Sequence, residues 1–288
     1  MNYQLNPLSP VLGAEITGLD LRKPLSQNGI DEVMDLFHRH QVLVFRDQSL
    51  TPEEQIAACG QFGEIEIHPL EVVPWVHREL TYVANIYPGR EDIFEHCGPP
   101  FELWHSDTCY LPYPAKMSLL YAEKVPSSAG DTLFADMYKA YDDLPAEIKQ
   151  KIEGKEAVFG SGYKLMERCK KRGYDLQISE NDMQPDVSHP IVRSHPVTKR
   201  KSIFVNWAHT DHIVDMPTRE SDELLNYIYD HCRKPEYVYV HEYRQGDLIV
   251  WDNASTIHSN TDKKLSEVRI MRRVMIKGTK PYYEPCND

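Results

Sequence analysis

A series of short β-rich runs, separated by turn residues, constrains the fold of this chain most strongly. The runs cover residues 41–46, 116–122, 132–135, 191–195, 202–206, 237–240, 247–251 and 268–275. Helical patterns are fewer: they cover residues 28–40, the segment after the Thr51 capping box, and residues 138–154. A doubly wound fold would alternate strands and helices and would usually carry a glycine-rich phosphate loop, which this sequence lacks. The pattern therefore predicts a mainly β protein with flanking helices, either a β-sandwich or a jelly roll.

The net charge limits the kinds of molecule that the protein is expected to bind. The chain has 288 residues, of which 41% are hydrophobic and 26% are charged, as in ordinary globular proteins. Its formal net charge of −12 disfavours nucleic acids and anionic membranes as partners, because both attract basic surfaces. A small anionic substrate would therefore need a local cluster of arginines. The stretch 161–188 mixes Lys and Arg with Asp and Glu and contains Pro185, which predicts an insertion that forms a surface lid.

The N-terminal segment and the cysteines bear on the compartment. No basic region followed by an apolar run opens the chain, so we expect no signal peptide. No run approaches the roughly 18 apolar residues that a membrane helix needs. The six cysteines are scattered without a CxxC pair, which disfavours structural zinc and predicts free thiols in a reducing cytoplasm.

Two histidines and an aspartate are the candidate metal ligands. His105 and Asp107 lie in the run Trp104–Asp107, and residues two apart share one face of a strand, so these side chains would converge at a strand or a strand end. His258 follows the predicted strand 247–251. Two imidazoles and one carboxylate on one face of an octahedral ion leave three positions open, which is typical of non-haem Fe(II) oxygenases. The alternative is that all three are ordinary hydrogen-bonding residues of strands.

Two arginines near the C-terminus supply the cationic cluster. Arg269 and Arg273 are four residues apart in a predicted strand and therefore face the same side. A buried guanidinium needs an anion to offset its desolvation, and its planar fork matches a carboxylate. A dicarboxylate co-substrate and a second anionic substrate would account for both arginines. The adjacent Arg272 is the alternative for the second role.

Further motifs occur in order along nearly the whole chain. They are the segments 12–21, 40–48, 62–64, 104–107, 130–132, 190–196, 251–253 and 269–273. Together they resemble the taurine dioxygenase (TauD/TfdA) family of Fe(II)- and 2-oxoglutarate-dependent dioxygenases. The resemblance implies one domain over residues 1–288 with the double-stranded β-helix fold, the jelly roll of cupin-like proteins. It also implies that iron and 2-oxoglutarate are used with O2 to oxidise a C–H bond, giving succinate and CO2.

The same resemblance assigns roles to individual residues. His105, Asp107 and His258 would hold the iron, and Arg269, assisted by the Thr132 hydroxyl, would bind the distal carboxylate of 2-oxoglutarate. Arg273 would grip the acid group of the substrate, and His68 would line the same pocket. Members of the family commonly self-associate, so a homo-oligomer is expected.

Two departures from the family pattern concern the substrate. Taurine dioxygenases carry a tyrosine three residues after the pocket histidine and an asparagine three residues before the motif tryptophan, and both contact taurine. This chain has Glu71 and Phe101 there. We therefore expect a small sulfonate or carboxylate other than taurine that is larger, more apolar or amino-bearing. Two alternatives stay open: a desaturation, cyclisation or rearrangement of an amino-bearing acid with the same cofactors, and a non-catalytic small-molecule sensor.

Overall fold

The computed structural model describes residues 1–67, 77–87, 90–94, 101–127, 130–180, 183–261 and 267–285. The helices are α1 (Gln27–His40), α2 (Pro52–Gly60), α3 (Met137–Asp142), α4 (Ala146–Ile152), α5 (Tyr163–Lys171) and α6 (Thr218–Cys232). The strands are β1 (Gln4–Pro7), β2 (Ala14–Thr17), β3 (Val42–Phe45), β4 (Ile65–Glu66), β5 (Thr81–Ala84), β6 (Ile86–Tyr87), β7 (Arg90–Phe94), β8 (Met117–Lys124), β9 (Thr132–Asp136), β10 (Glu156–Phe159), β11 (Val187–Pro190), β12 (Val192–Ser194), β13 (Lys201–Ile203), β14 (Thr210–Ile213), β15 (Val238–His241), β16 (Leu248–Asp252), β17 (Thr256–Asn260) and β18 (Ile270–Ile276). The prediction of a mainly β protein with helices is confirmed.

Two sheets carry the residues of the candidate site. The larger has the order β1-β2-β3-β16-β8-β18-β4, and β5 also pairs with β18. Its pairs are antiparallel except for β2 with β3. In the smaller sheet β9 lies between β15 and β17, antiparallel to both.

Buried apolar side chains join the two sheets. Phe134 of β9 packs against Trp251 of β16, with 5.6 Å between the ring centroids. Both belong to one buried cluster with Val44 and Met271 from the larger sheet. The two sheets therefore face each other across an apolar layer, whose removal from water stabilises the pair.

The helix that packs on the larger sheet begins as the sequence predicts. Ser26 caps α1 by accepting a hydrogen bond from the Gly29 amide, and the Val33 and Phe37 side chains are buried in the cluster beneath it. At α2 the Thr51 hydroxyl accepts from the Glu54 amide while the Glu54 carboxylate accepts from the Thr51 amide. The predicted capping box is confirmed.

The single helix predicted over residues 138–154 is wrong. The structure has α3 ending at Asp142 and α4 beginning at Ala146, with Leu144 and Pro145 between them. Proline disfavours the helical conformation in the residue before it, so the helix cannot continue through Leu144. Pro145 is instead the N-cap residue of α4, where its carbonyl accepts from the Lys149 amide and its missing N–H is not needed.

The stretch 161–188 contains α5, which the sequence analysis did not predict. Leu165 and Cys169, four residues apart, are buried in the largest apolar cluster, so this face of the helix belongs to the core. The lid remains a prediction for the rest of the stretch. Helix α6 was also missed, although Leu224, Leu225 and Ile228 bury one face at helical spacing.

Two further expectations concern the chain as a whole. Among the described residues, no helix is both long and apolar enough to cross a membrane. The described cysteines are buried and form no disulfide with one another: Cys59, Cys109, Cys169 and Cys232.

Candidate metal centre and anion-binding arginines

The structure brings the three predicted metal ligands together. One ligand atom from each of His105, Asp107 and His258 lies within 4.8 Å of the others. The Asp107 Oδ1 atom is 3.8 Å from His105 Nε2 and 4.0 Å from His258 Nε2. The three side chains therefore converge on one point, and their donor set of two imidazoles and a carboxylate suits Fe(II).

Main-chain pairing positions the two histidines. His105 and His258 form an isolated antiparallel bridge, with their amides and carbonyls exchanging hydrogen bonds of 3.0 and 2.8 Å. Asp107 lies just beyond that bridge, at the start of a turn in which Thr108 has φ of +50°. This left-handed conformation is strained for a β-branched residue. The predicted convergence is confirmed, but it arises from an isolated bridge followed by a turn and not from two positions of one strand.

A buried network fixes the Asp107 side chain. The Ser118 hydroxyl donates to Asp107 Oδ2 at 2.6 Å and accepts from Asn253 Nδ2 at 2.8 Å. Asn253 Oδ1 accepts from the Asp107 amide at 3.2 Å and from Trp251 Nε1 at 3.1 Å. Because Ser118 engages Oδ2, Oδ1 is the oxygen presented to the histidines.

The electrostatics favour the ligating form of each group. Burial is the main cause that lowers the pKa of His105 and of His258, which favours neutral imidazoles. His105 Nδ1 donates to the Leu103 carbonyl at 2.7 Å, so Nε2 carries the lone pair that faces the site. Burial alone would raise the pKa of Asp107, but the charge of Arg273 and the two imidazoles hold it well below its usual range.

Arg273 lies directly at the candidate metal centre. Its Nη1 donates to Asp107 Oδ1 at 2.7 Å, and its buried Nε has no hydrogen-bond partner among the described residues. Arg272 points to the other face of β18, where its Nη2 donates to the Leu50 carbonyl and its guanidinium lies over the Tyr121 ring. Of these neighbouring arginines, Arg273 is the one that faces the ligands.

Three further side chains lie close to the candidate metal centre: those of Glu66, His209 and Tyr110. None of them was predicted from the sequence. Glu66 of β4 is close enough to Asp107 and Arg273 to feel their charges, and its buried Oε2 has no partner among the described residues. Burial, aided by the Asp107 charge, raises the pKa of Glu66 to about 7. The His209 ring lies 6.1 Å from the His105 ring and 4.8 Å from the Tyr110 ring.

Arg269 and Thr132 meet through a residue that was not predicted. The Arg269 guanidinium is buried and lies 5.7 Å from the Tyr243 ring centroid, and the Tyr243 hydroxyl is 2.9 Å from the Thr132 hydroxyl. Arg269 Nη1 also donates to the Val83 carbonyl at 3.3 Å, while its amide donates to the Asn85 side chain. Tyr243 thus links the two residues that were predicted to act on 2-oxoglutarate.

The remaining predicted substrate residues have different outcomes. Phe101 packs edge-on against Trp207 and Tyr174, at 6.2 and 6.3 Å between centroids, with the Arg172 guanidinium 5.0 Å from its ring. These contacts attach Phe101 to the edge of the largest apolar cluster, and its role as a substrate contact stays a prediction. The predictions for His68 and Glu71 lie outside the described residues.

Comparisons with known proteins identify the family. The family model for taurine catabolism dioxygenases (TauD, TfdA family) matches residues 4–275. An alpha-ketoglutarate-dependent 2,4-dichlorophenoxyacetate dioxygenase from Cupriavidus pinatubonensis is 33% identical over 95% of this chain and 97% of that protein. An (S)-phenoxypropionate/alpha-ketoglutarate-dioxygenase from Sphingobium herbicidovorans is 30% identical over 96% and 95%.

A solved structure agrees with the sequence relatives. The crystal structure of AAD-2 in complex with Mn(II) and N-oxalylglycine superimposes with a TM-score of 0.80 at 34% identity, covering 98% of this chain and 99% of that one. This chain therefore belongs to the TauD/TfdA family, and it is an Fe(II)- and 2-oxoglutarate-dependent dioxygenase.

Proposed function

We propose that this enzyme oxidises a C–H bond of a small carboxylic acid whose body is aromatic or apolar. The observation that carries the proposal is the position of Arg273, whose guanidinium lies at Asp107 and whose buried Nε has no partner in the part of the chain that the structure describes. Such a donor suits the carboxylate of a substrate held beside the metal. The relatives are named for 2,4-dichlorophenoxyacetate and (S)-phenoxypropionate, both acids with an aromatic body.

The metal is assigned to His105, Asp107 and His258. These residues would hold Fe(II), which would supply the activation of O2 that couples substrate oxidation to the conversion of 2-oxoglutarate to succinate and CO2. The chain holds His105 Nε2 and Asp107 Oδ1 in their ligating forms through the Leu103 carbonyl and the Ser118 hydroxyl. Three protein ligands leave the remaining positions of an octahedral ion for the co-substrate and O2.

The 2-oxoglutarate site is assigned to Arg269 with Thr132. The Arg269 guanidinium pairs with the distal carboxylate of 2-oxoglutarate. The Thr132 hydroxyl, which is hydrogen-bonded to the Tyr243 hydroxyl, donates to the same carboxylate. Since Arg269 and Arg273 lie four residues apart on one face, one arginine serves each anion. This division explains how a chain of net charge −12 can hold two anionic molecules in one site.

The substrate body is assigned to the aromatic side chains. The His209 ring lies 6.1 Å from the ligand His105 and 4.8 Å from Tyr110. Phe101 is assigned to the same role from the sequence pattern. An apolar wall disfavours a short, strongly hydrated molecule such as taurine. His68 and Glu71 remain proposed substrate contacts on the strength of the resemblance alone.

We further propose the fold, the cellular location and the partners of the protein. The facing sheets and their antiparallel strands support a double-stranded β-helix. One domain over 1–288, a lid near 161–188 and a cytoplasmic location are proposed from the sequence pattern alone. The family resemblance supports a homo-oligomer. The negative net charge disfavours nucleic acids and membranes as partners, so the proposed partners are the small anionic substrate and O2.

The test is succinate formation with Fe(II), 2-oxoglutarate and O2 across a panel of acids. The panel contains phenoxyacetate, 2,4-dichlorophenoxyacetate, alkyl sulfonates, amino acids and taurine. We expect the strongest coupling with an aryloxy acid and little with taurine. Product analysis separates hydroxylation from desaturation, cyclisation or rearrangement. Strongest coupling with taurine would overturn the substrate assignment, and no succinate with any acid would support the sensor alternative, which the relatives do not favour.

A pair of variants tests the anchor within this assay. Arg273→Met removes the proposed carboxylate contact and is expected to lower kcat/KM for the acid by about 10²- to 10³-fold, with a small change in KM for 2-oxoglutarate. Lys124→Met removes an exposed charge from the end of β8 and should leave both constants unchanged. Equal effects of Arg273→Met on the acid and on 2-oxoglutarate would contradict the assignment.

A further inference from the structure

The side chain of Glu66 faces the candidate metal centre from the edge of the larger sheet. Glu66 of β4 is directly opposite Met275 of β18, and Met275 is directly opposite Ser118 of β8. Residues that are opposite each other in antiparallel strands project to the same side of the sheet. Since the Ser118 hydroxyl donates to Asp107, this row of side chains lies on the side that carries the metal ligand. Alternation along β18 places Arg273 on that side as well.

The Glu66 carboxylate lacks a hydrogen-bond donor. Its Oε2 atom is buried and has no partner in the part of the chain that the structure describes. The Lys277 ammonium is near enough to act on Glu66 but donates to the exposed carboxylate of Glu64. Arg273 donates through Nη1 to Asp107, while its own Nε is buried without a partner among the described residues. A donor and an acceptor are thus left open side by side, and buried polar atoms of this kind are normally completed by a water or a ligand.

The electrostatics of Glu66 agree with a missing partner. Burial is the main cause that raises the pKa of Glu66 to about 7, and the Asp107 charge acts in the same direction. The charges of Lys277 and Arg273 lower this pKa but do not offset the burial. The ionised carboxylate is therefore stabilised too little by its neighbours, and a donor placed at Oε2 would stabilise it.

From this placement we propose that Glu66 determines specificity by accepting a hydrogen bond from an amino or hydroxyl group on the carbon next to the acid group of the substrate. The inference rests on the proposed function, in which Arg273 binds that acid group. It narrows the substrate class to 2-amino or 2-hydroxy acids with an aromatic or apolar body.

The spacing of the two side chains suits such a molecule. Glu66 and Arg273 are diagonal neighbours on paired strands, a relation in which the Cα atoms are about 7–8 Å apart. Both side chains are long enough to bring one acceptor and one donor to adjacent groups of a small ligand. An ammonium is the better partner for Glu66, because a hydrogen bond between ions is roughly twice as strong as one between neutral groups.

The test compares 3-phenoxypropionate with its 2-hydroxy and 2-amino derivatives, which share one aromatic body. Isothermal titration calorimetry gives the Kd values for the Mn(II)-loaded enzyme with 2-oxoglutarate and without O2, so that no substrate is consumed. We expect one enantiomer of each derivative to bind about 10- to 100-fold more tightly than the parent acid. Kd values that agree within about threefold for all three acids would overturn the role of Glu66 and leave the assignment of the acid group to Arg273 intact.

Glu66→Gln keeps the shape of the side chain and removes its charge. This variant should bind the 2-amino acid about tenfold more weakly, because an ion pair becomes a hydrogen bond to a neutral amide. The parent acid should bind no more weakly than to the wild type, because a negative charge near its carboxylate is removed. Glu64→Gln is the matched control: it removes an exposed carboxylate two residues earlier and should keep all three wild-type Kd values. Unchanged binding of the 2-amino acid by Glu66→Gln would refute the proposal.

Failure of the proposed function would have a different signature. None of the three acids would then bind, and no acid of the wider panel would give succinate. That result would overturn the assignment of Arg273 and, with it, the role of Glu66.

Discussion

Ser118→Ala is the sharpest test of how the candidate metal centre is built. The Ser118 hydroxyl donates to Asp107 Oδ2 at 2.6 Å and is completely buried. A hydrogen bond to a charged group contributes about 1.5–3 kcal/mol, and each 1.4 kcal/mol corresponds to a factor of ten. Loss of a hydrogen bond that orients a ligand typically weakens metal binding by about 10- to 100-fold. We expect a loss of that size for Mn(II), measured by electron paramagnetic resonance titration of the metal-free enzyme.

Ser202→Ala is the matched control for this experiment. Ser202 is equally buried, and its hydroxyl donates to the Ala254 carbonyl at 2.7 Å without touching a ligand. Both substitutions leave a buried polar group without its partner, so both should lower the free energy of unfolding by about 1–3 kcal/mol in urea. Only Ser118→Ala should weaken Mn(II) binding. Mn(II) affinities of the two variants that agree within about threefold would refute the argument that Ser118 orients Asp107.

Three further predictions concern the co-substrate site and the stability of the fold. Tyr243→Phe removes the hydroxyl next to Thr132 and should raise KM for 2-oxoglutarate about three- to tenfold in the succinate assay, whereas Tyr239→Phe should not. Arg46→Met leaves buried Asp247 without its 2.6 Å partner and should cost about 3–5 kcal/mol in urea unfolding, while the exposed Arg22→Met should cause no measurable change. Burial is the main cause that lowers the pKa of His189 from 6.5 to about 4, so on acidification the unfolded chain takes up a proton before the folded chain does. Stability should therefore fall between pH 6.5 and 4, and His189→Gln should flatten this dependence by up to one proton in urea titrations at several pH values.

Local sequence signals predicted the parts of the fold that depend on neighbouring residues. The Thr51 capping box is a rule over a few residues and was confirmed. His105 and Asp107 converge as predicted, although a turn and not a strand brings Asp107 to the site. The prediction of one helix over 138–154 was wrong because the apolar spacing continues across Pro145, while the proline disfavours a helical conformation in the residue before it. Helix α5 was missed because its buried residues are few and lie among charged ones.

The surroundings of the metal centre could not be predicted, because they depend on pairings between distant segments. Glu66 lies near Asp107 and Arg273 because β4 pairs with the end of β18, where Glu66 is opposite Met275. His209 and Tyr110 come from loops whose approach to His105 follows from the packing of the core. No spacing within the sequence records these proximities.

The choice between Arg272 and Arg273 separates what the sequence alone predicts from what the pairing of the strands decides. Alternation along β18 requires that Arg269 and Arg273 share one face and that Arg272 take the other, and the sequence is sufficient for that statement. It does not say which face meets the metal ligands. The pairing of β18 with β8 decides this, because it directs Arg273 towards Asp107 and turns Arg272 towards Tyr121 and the Leu50 carbonyl. In the proposed function, this strand also fixes the separation between Arg269 and Arg273, so the substrate acid and the distal carboxylate of 2-oxoglutarate would be held at positions that the sheet sets. On the same proposal, selectivity among acids would depend on Tyr110, His209 and Phe101, which come from other segments and can vary without disturbing the strand.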